Sequence, residues 1–95
     1  MGNNIRDIKS GDIVRHFKRQ WCNPIELSNR KYLYEIIGIA EHTETSEKFV
    51  CYRAMYGDKK LYCRPYEMFM EKVDKEKYPE AMQEYRFDVI NRQNV

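Results

Sequence analysis

The chain has 95 residues, 42% hydrophobic and 34% charged, which suits one globular domain with a modest core and excludes disorder. A net charge of only +2 excludes a strong general attraction to nucleic acid. No run approaches membrane-spanning length and no apolar leader is evident, so no membrane segment is expected. Three cysteines, Cys22, Cys51 and Cys63, with no Cys-x-x-Cys pattern, point to free thiols in a cytoplasmic protein.

In chain order, residues 1–4 read as a frayed end, and Ser10-Gly11-Asp12 as a turn. Residues 13–18 alternate and predict a first strand, with Ile13, Arg15 and Phe17 on one side and Val14, His16 and Lys18 on the other. Asn23 followed by Pro24 and Glu26 is a helix-start signature with a capping-box acid, predicting a short helix over 24–29. Trp21, just before it, is expected to pin this loop to the body of the domain. Residues 32–42 predict the longest strand, with the apolar run Ile36-Ile37-Gly38-Ile39-Ala40 buried on both sides and a bend or bulge at Gly38. Thr43 to Glu47 is a polar turn.

Residues 49–64 predict a central hairpin turning at Gly57-Asp58. With an even-numbered loop, Val50, Tyr52, Ala54 and Tyr56 share the core face with Leu61 and Cys63. The other face then carries Cys51, Arg53 and Met55 with Tyr62 and Arg64. Two guanidiniums beside Tyr62 could clamp a phosphate or carboxylate. The simpler reading, placed ahead of the clamp, is that both arginines pair with nearby Glu residues or reach water. Cys51 and Cys63 read as small packing residues, and Cys22, in a polar loop, as the exposed thiol.

Beyond the hairpin, Pro65 opens a single helical turn through Phe69. A strand is expected over 70–73, a charged connection over 74–77 and a short helix from Pro79 to Glu84. Residues 86–90 read as a last strand and 91–95 as a tail. The expected organisation is a single domain, 1–95, with a core over about 11–73 and a C-terminal extension over 74–95. Many short strands with one helical turn predict a mainly β fold, a small SH3-like curved barrel of about five strands.

The motifs Arg15-His16-Phe17-Lys18, Tyr34-Glu35-Ile36-Ile37-Gly38-Ile39-Ala40-Glu41-His42-Thr43-Glu44-Thr45, Tyr52-Arg53-Ala54-Met55-Tyr56-Gly57-Asp58 and Arg64-Pro65-Tyr66-Glu67-Met68-Phe69 follow one another in order. Together they resemble a family of small bacterial proteins, domain of unknown function 1653. The resemblance covers roughly residues 11–73, and residues 78–87 are similar to the tail of a longer subgroup. It implies an SH3-like architecture and carries over no catalytic residue. Where the family usually has Gly, this chain has Ser46, which strains the turn if a left-handed conformation is required there. Tyr62 stands where the family usually has Trp.

Neither histidines nor cysteines show metal-ligand spacing, no cofactor is implied, and no nucleophile sits at a recognisable elbow. An enzyme is therefore the minority reading. The chain reads as a binding module for an anionic ligand or nucleic acid, through Arg64, Tyr62, Arg53, Arg15, His16 and Tyr66. Five basic residues between Arg15 and Lys31 could supply phosphate contacts. A groove for an extended peptide is the alternative.

Overall fold

A computed structural model describes residues 7–91; the end expected to fray over 1–4, and residues 92–95, lie outside them. Five antiparallel strands form one sheet in the order β4-β3-β2-β1-β5. They are β1 (Ile13–His16), β2 (Leu33–Glu41), β3 (Lys48–Ala54), β4 (Leu61–Pro65) and β5 (Phe87–Asn91). The fold is mainly β, as expected, but the expected barrel does not close. Among the described residues β4 and β5 are the two edges of an open sheet.

The main core lies on one face of this sheet. Val14, Tyr34, Ile36, Val50, Tyr52, Ala54 and Phe87 from the strands meet Phe69 from the short helix α2 (Tyr66–Phe69). Pro65 precedes that helix with its φ at −50°, so the helical turn expected there forms. A second cluster, Phe17, Val73 and Ala81 with Tyr78 against it, fills the space beneath the C-terminal segment.

Local signals resolve well where one residue type dictates the backbone. Helix α1 (Pro24–Ser28) starts with the expected reciprocal capping box: Glu26 N–H donates to Asn23 Oδ1 at 2.8 Å, and Asn23 N–H to Glu26 Oε1 at 3.0 Å. The β2–β3 register slips between Ile36 and Gly38, so the bulge expected at Gly38 is present. Ser46 has φ 64°, the left-handed conformation that its turn demands.

Several expectations need correction. Strand β1 stops at His16, and Phe17–Trp21 forms a 3₁₀ helix instead of continuing the strand. The turn carries Phe17 into the second cluster, and His16 Nδ1 caps it by accepting from Lys18 N–H at 3.1 Å. The middle of β2 is buried on one side only: Ile36 is buried while Ile37 and Ile39 are partly exposed. Among the described residues the main core lies on the Ile36 side alone, so the alternate positions of β2 stay open to solvent. Residues 70–73 contribute a single bridge, Lys72 to Tyr85, rather than a strand. Residues 79–84 form turns and irregular backbone rather than a helix. Trp21, although half exposed, meets Phe17 and Tyr78 of the second cluster at ring separations of 6.2 Å, within the range of aromatic contact, in keeping with its expected role of holding this loop to the domain.

Candidate functional site

The register of the β3–β4 hairpin decides which side chains can act together. Val50 pairs with Arg64, Tyr52 with Tyr62 and Arg53 with Leu61. Directly opposed residues share a face. Tyr62 and Arg64 therefore stand on the core side with Tyr52 and Val50, while Leu61 and Cys63 face away with Arg53 and Cys51. This reverses the facing expected for β4, because the connection between Arg53 and Leu61 holds an odd number of residues. Leu61, expected inside, is 56% exposed, and Cys63 is exposed too. Cys22, expected to be the exposed thiol, is half-buried.

The six residues singled out from the sequence thus divide. Arg53 lies on the opposite face from Arg64, so the two cannot form the expected clamp. Arg15 lies on that opposite face as well, flanked by clefts of about 590 and 500 Å³. Its Nε donates to Gln83 Oε1 at 2.7 Å, and Nη2 stands 3.7 Å from Asp88 Oδ2. Tyr66 is half-buried and packs against the main core.

Tyr62, Arg64 and His16 all face the core side of the sheet, and the charge of Arg64 reaches His16. His16 is wedged among rings. It stacks on Phe17 at 4.6 Å and Tyr32 at 5.4 Å, and meets Phe87 edge-on at 5.0 Å. Burial, and then the positive charges of Lys18, Arg64 and Arg86, lower its pKa to about 4. The imidazole is therefore neutral at pH 7. Because Nδ1 accepts from Lys18 N–H, the ring proton resides on Nε2 and makes it a donor.

Arg64 is half-buried, and among the described residues it has no carboxylate within ion-pair distance. Arg86, the other arginine whose charge reaches His16, has its Nε 3.3 Å from Glu71 Oε1. Tyrosine rings cluster on the same side of the sheet. Tyr62, 42% exposed, is 5.7 Å from Tyr52 and 6.4 Å from Tyr34. The Tyr34 and Tyr56 hydroxyls are 2.8 Å apart and share a hydrogen bond. Burial, with that bond, pushes the Tyr34 hydroxyl pKa above its usual range.

Tyr32, Tyr56 and Arg86 belong to this site and were not singled out from the sequence. Tyr32 carries the one local sign. It has φ 68°, an unfavourable conformation for so bulky a residue, and its ring lies against His16.

Fold and site define a small β-sheet protein with an aromatic and basic patch on the core side of its sheet. The chain belongs to the family described as protein of unknown function (DUF1653), whose model matches residues 12–89. No curated protein and no solved structure matches it. Among the described residues no group of His, Cys, Asp and Glu could hold a metal ion, and no helix is long and apolar enough to cross a membrane.

Proposed function

We propose that the protein is a binding module for a small anion, a phosphate or carboxylate carried on an aromatic ligand, held at Arg64. The observation that carries this reading is Arg64, a half-buried residue facing the core side of the sheet with no carboxylate within ion-pair distance among the described residues. A part-buried cation with no acid beside it is free to answer an incoming anion. A planar guanidinium offers an oxyanion two parallel donors. The neutral His16 contributes an Nε2–H nearby, and the exposed part of Tyr62 offers a ring for stacking.

Extended nucleic acid is the weaker reading, because much of the basic segment is already engaged. Arg15 is held by Gln83 and Asp88, Arg19 donates to the Lys31 carbonyl, and Lys31 pairs with Glu26. Lys18 lies over the Tyr78 ring. Little of it is left to track a phosphate backbone.

Titration with inorganic phosphate and with adenosine monophosphate, followed by amide shifts, tests the reading. Saturable shifts at His16, Tyr62 and Arg64 are expected, with affinity falling about tenfold or more in Arg64→Ala, the loss of a charged hydrogen bond. The variant should melt within a few degrees of the parent, because among the described residues Arg64 forms no ion pair whose loss would matter. No saturable shift near Arg64, or a sharp loss of stability in the variant, overturns it. A steep salt dependence with oligonucleotide would favour nucleic acid instead.

A further inference from the structure

The outward face of the β3–β4 hairpin carries two cysteines at one level, since Cys51 and Cys63 are direct cross-strand partners. The end of the ladder fixes its hydrogen-bond phase. Ala54 N–H donates to the Lys60 carbonyl at 3.0 Å, and these residues are the next pair along. Hydrogen-bonded pairs alternate with non-hydrogen-bonded ones in an antiparallel ladder. Tyr52–Tyr62 and Val50–Arg64 are therefore hydrogen-bonded pairs, and Cys51–Cys63 is not. The other edge of β3 agrees, because Met55 N–H donates to the Leu33 carbonyl on β2.

In a non-hydrogen-bonded pair the Cα atoms stand about 4.5 Å apart with the side chains at their closest. That falls inside the range of about 4.4–6.8 Å that a disulfide spans. Both residues are thiols here, Cys63 exposed and Cys51 half-buried. On its β2 side Cys51 faces Gly38, which has no side chain, and a Cβ added there would meet nothing within 4 Å. A reagent can therefore approach the thiol. Arg53, two residues along the same face, has no carboxylate within ion-pair distance among the described residues.

We propose that Cys51 and Cys63 are a redox modification site that closes reversibly into a cross-strand disulfide by exchange with a small-molecule disulfide. The exposed Cys63, as thiolate, attacks one sulfur of the oxidant, forming a mixed disulfide and expelling one thiol. Cys51, as thiolate, then attacks the Cys63 sulfur and expels the second thiol. Two protein thiols become one S–S bond, and the oxidant takes up two electrons and two protons to become two thiols. Excess small thiol runs both steps backwards. The bond ties the edge strand β4 to β3, its one neighbour in the sheet.

The test treats the reduced full-length chain with oxidised glutathione, blocks remaining thiols and maps the peptides by mass. The expected product links residues 51 and 63, with Cys22 alkylated and the species lighter by two hydrogens before alkylation. Cys22→Ser should form the same bridge, and excess reduced glutathione should reverse it. At fixed glutathione, the yield of bridge over mixed disulfide should be about tenfold or more higher in the native protein than in urea, because the fold holds the thiols together. Adducts at Cys63 without a bridge, a bridge to Cys22, or a native yield no higher than the unfolded one would overturn the proposal.

Discussion

Phe69 and Phe87 lie face to face, ring centroids 4.0 Å apart and planes 4° from parallel. The first ends α2 and the second begins β5, so this stack fastens the helical turn to the last strand on the core face of the sheet. Tyr52 meets both rings at their edges, at 5.1 and 5.7 Å.

Truncating the stack should be among the most damaging single changes. Phe87→Ala is expected to cost about 3–5 kcal/mol, the usual range for a buried aromatic replaced by Ala. Urea denaturation should show a lower midpoint with an unchanged slope. Because the two rings share one contact, Phe69→Ala combined with Phe87→Ala should cost less than the sum of the single losses.

Acid should weaken the fold through His16. Its native pKa of about 4 lies below the unfolded value of 6.5, so between those limits the unfolded chain binds the proton and the native one does not. Stability is therefore complete above about pH 6.5, falls as pH drops towards 4, and changes no further through this group below that. The size is at most about 3 kcal/mol. His16→Asn keeps an acceptor for Lys18 N–H but does not titrate, so its stability should be flatter over that window. Urea midpoints measured from pH 7 to pH 4 check this, and parallel curves for parent and variant would refute it.

The Tyr34–Tyr56 hydrogen bond predicts an asymmetry. Tyr34 is buried and Tyr56 only half-buried. Tyr56→Phe orphans a buried hydroxyl and should cost about 1–3 kcal/mol, whereas Tyr34→Phe leaves a hydroxyl that water can reach and should cost about 1 kcal/mol or less. Equal losses in paired urea titrations would show that the bond is not the source.

Two turn positions should respond in opposite senses. Ser46 pays for its left-handed backbone, so Ser46→Gly should raise stability by about 0.5–1 kcal/mol. Gly57 has φ 59° and open space where a Cβ would stand. Gly57→Ala meets no clash and should still cost about 1 kcal/mol, from backbone strain alone. Thermal melts of the two variants give the comparison directly.

What the residues announce and what they conceal divides along the range of the interaction. Asn23 with Glu26, Gly38, Pro65 and Ser46 each dictate their own few dihedral angles, and each is where the sequence implies. The facing of β4 depends instead on the parity of the loop after Arg53, which residue types there leave open; one residue's difference turned Tyr62 and Arg64 inward. The two-sided burial expected for β2 failed because it required a second covering layer. The candidate site divides the same way: His16, Tyr62 and Arg64 stand out by residue type, whereas Tyr32, Tyr56 and Arg86 come into it only through contacts between residues far apart in sequence.

The same ladder phase has a consequence for exchange with heavy water. On β4 the amides of Tyr62 and Arg64 point at β3, while those of Leu61 and Cys63 point out from the edge of the sheet. Deuterium uptake along this strand should therefore be striped, fast at 61 and 63 and slow at 62 and 64, whereas β3, flanked on both sides, should be protected at nearly every residue from 49 to 54.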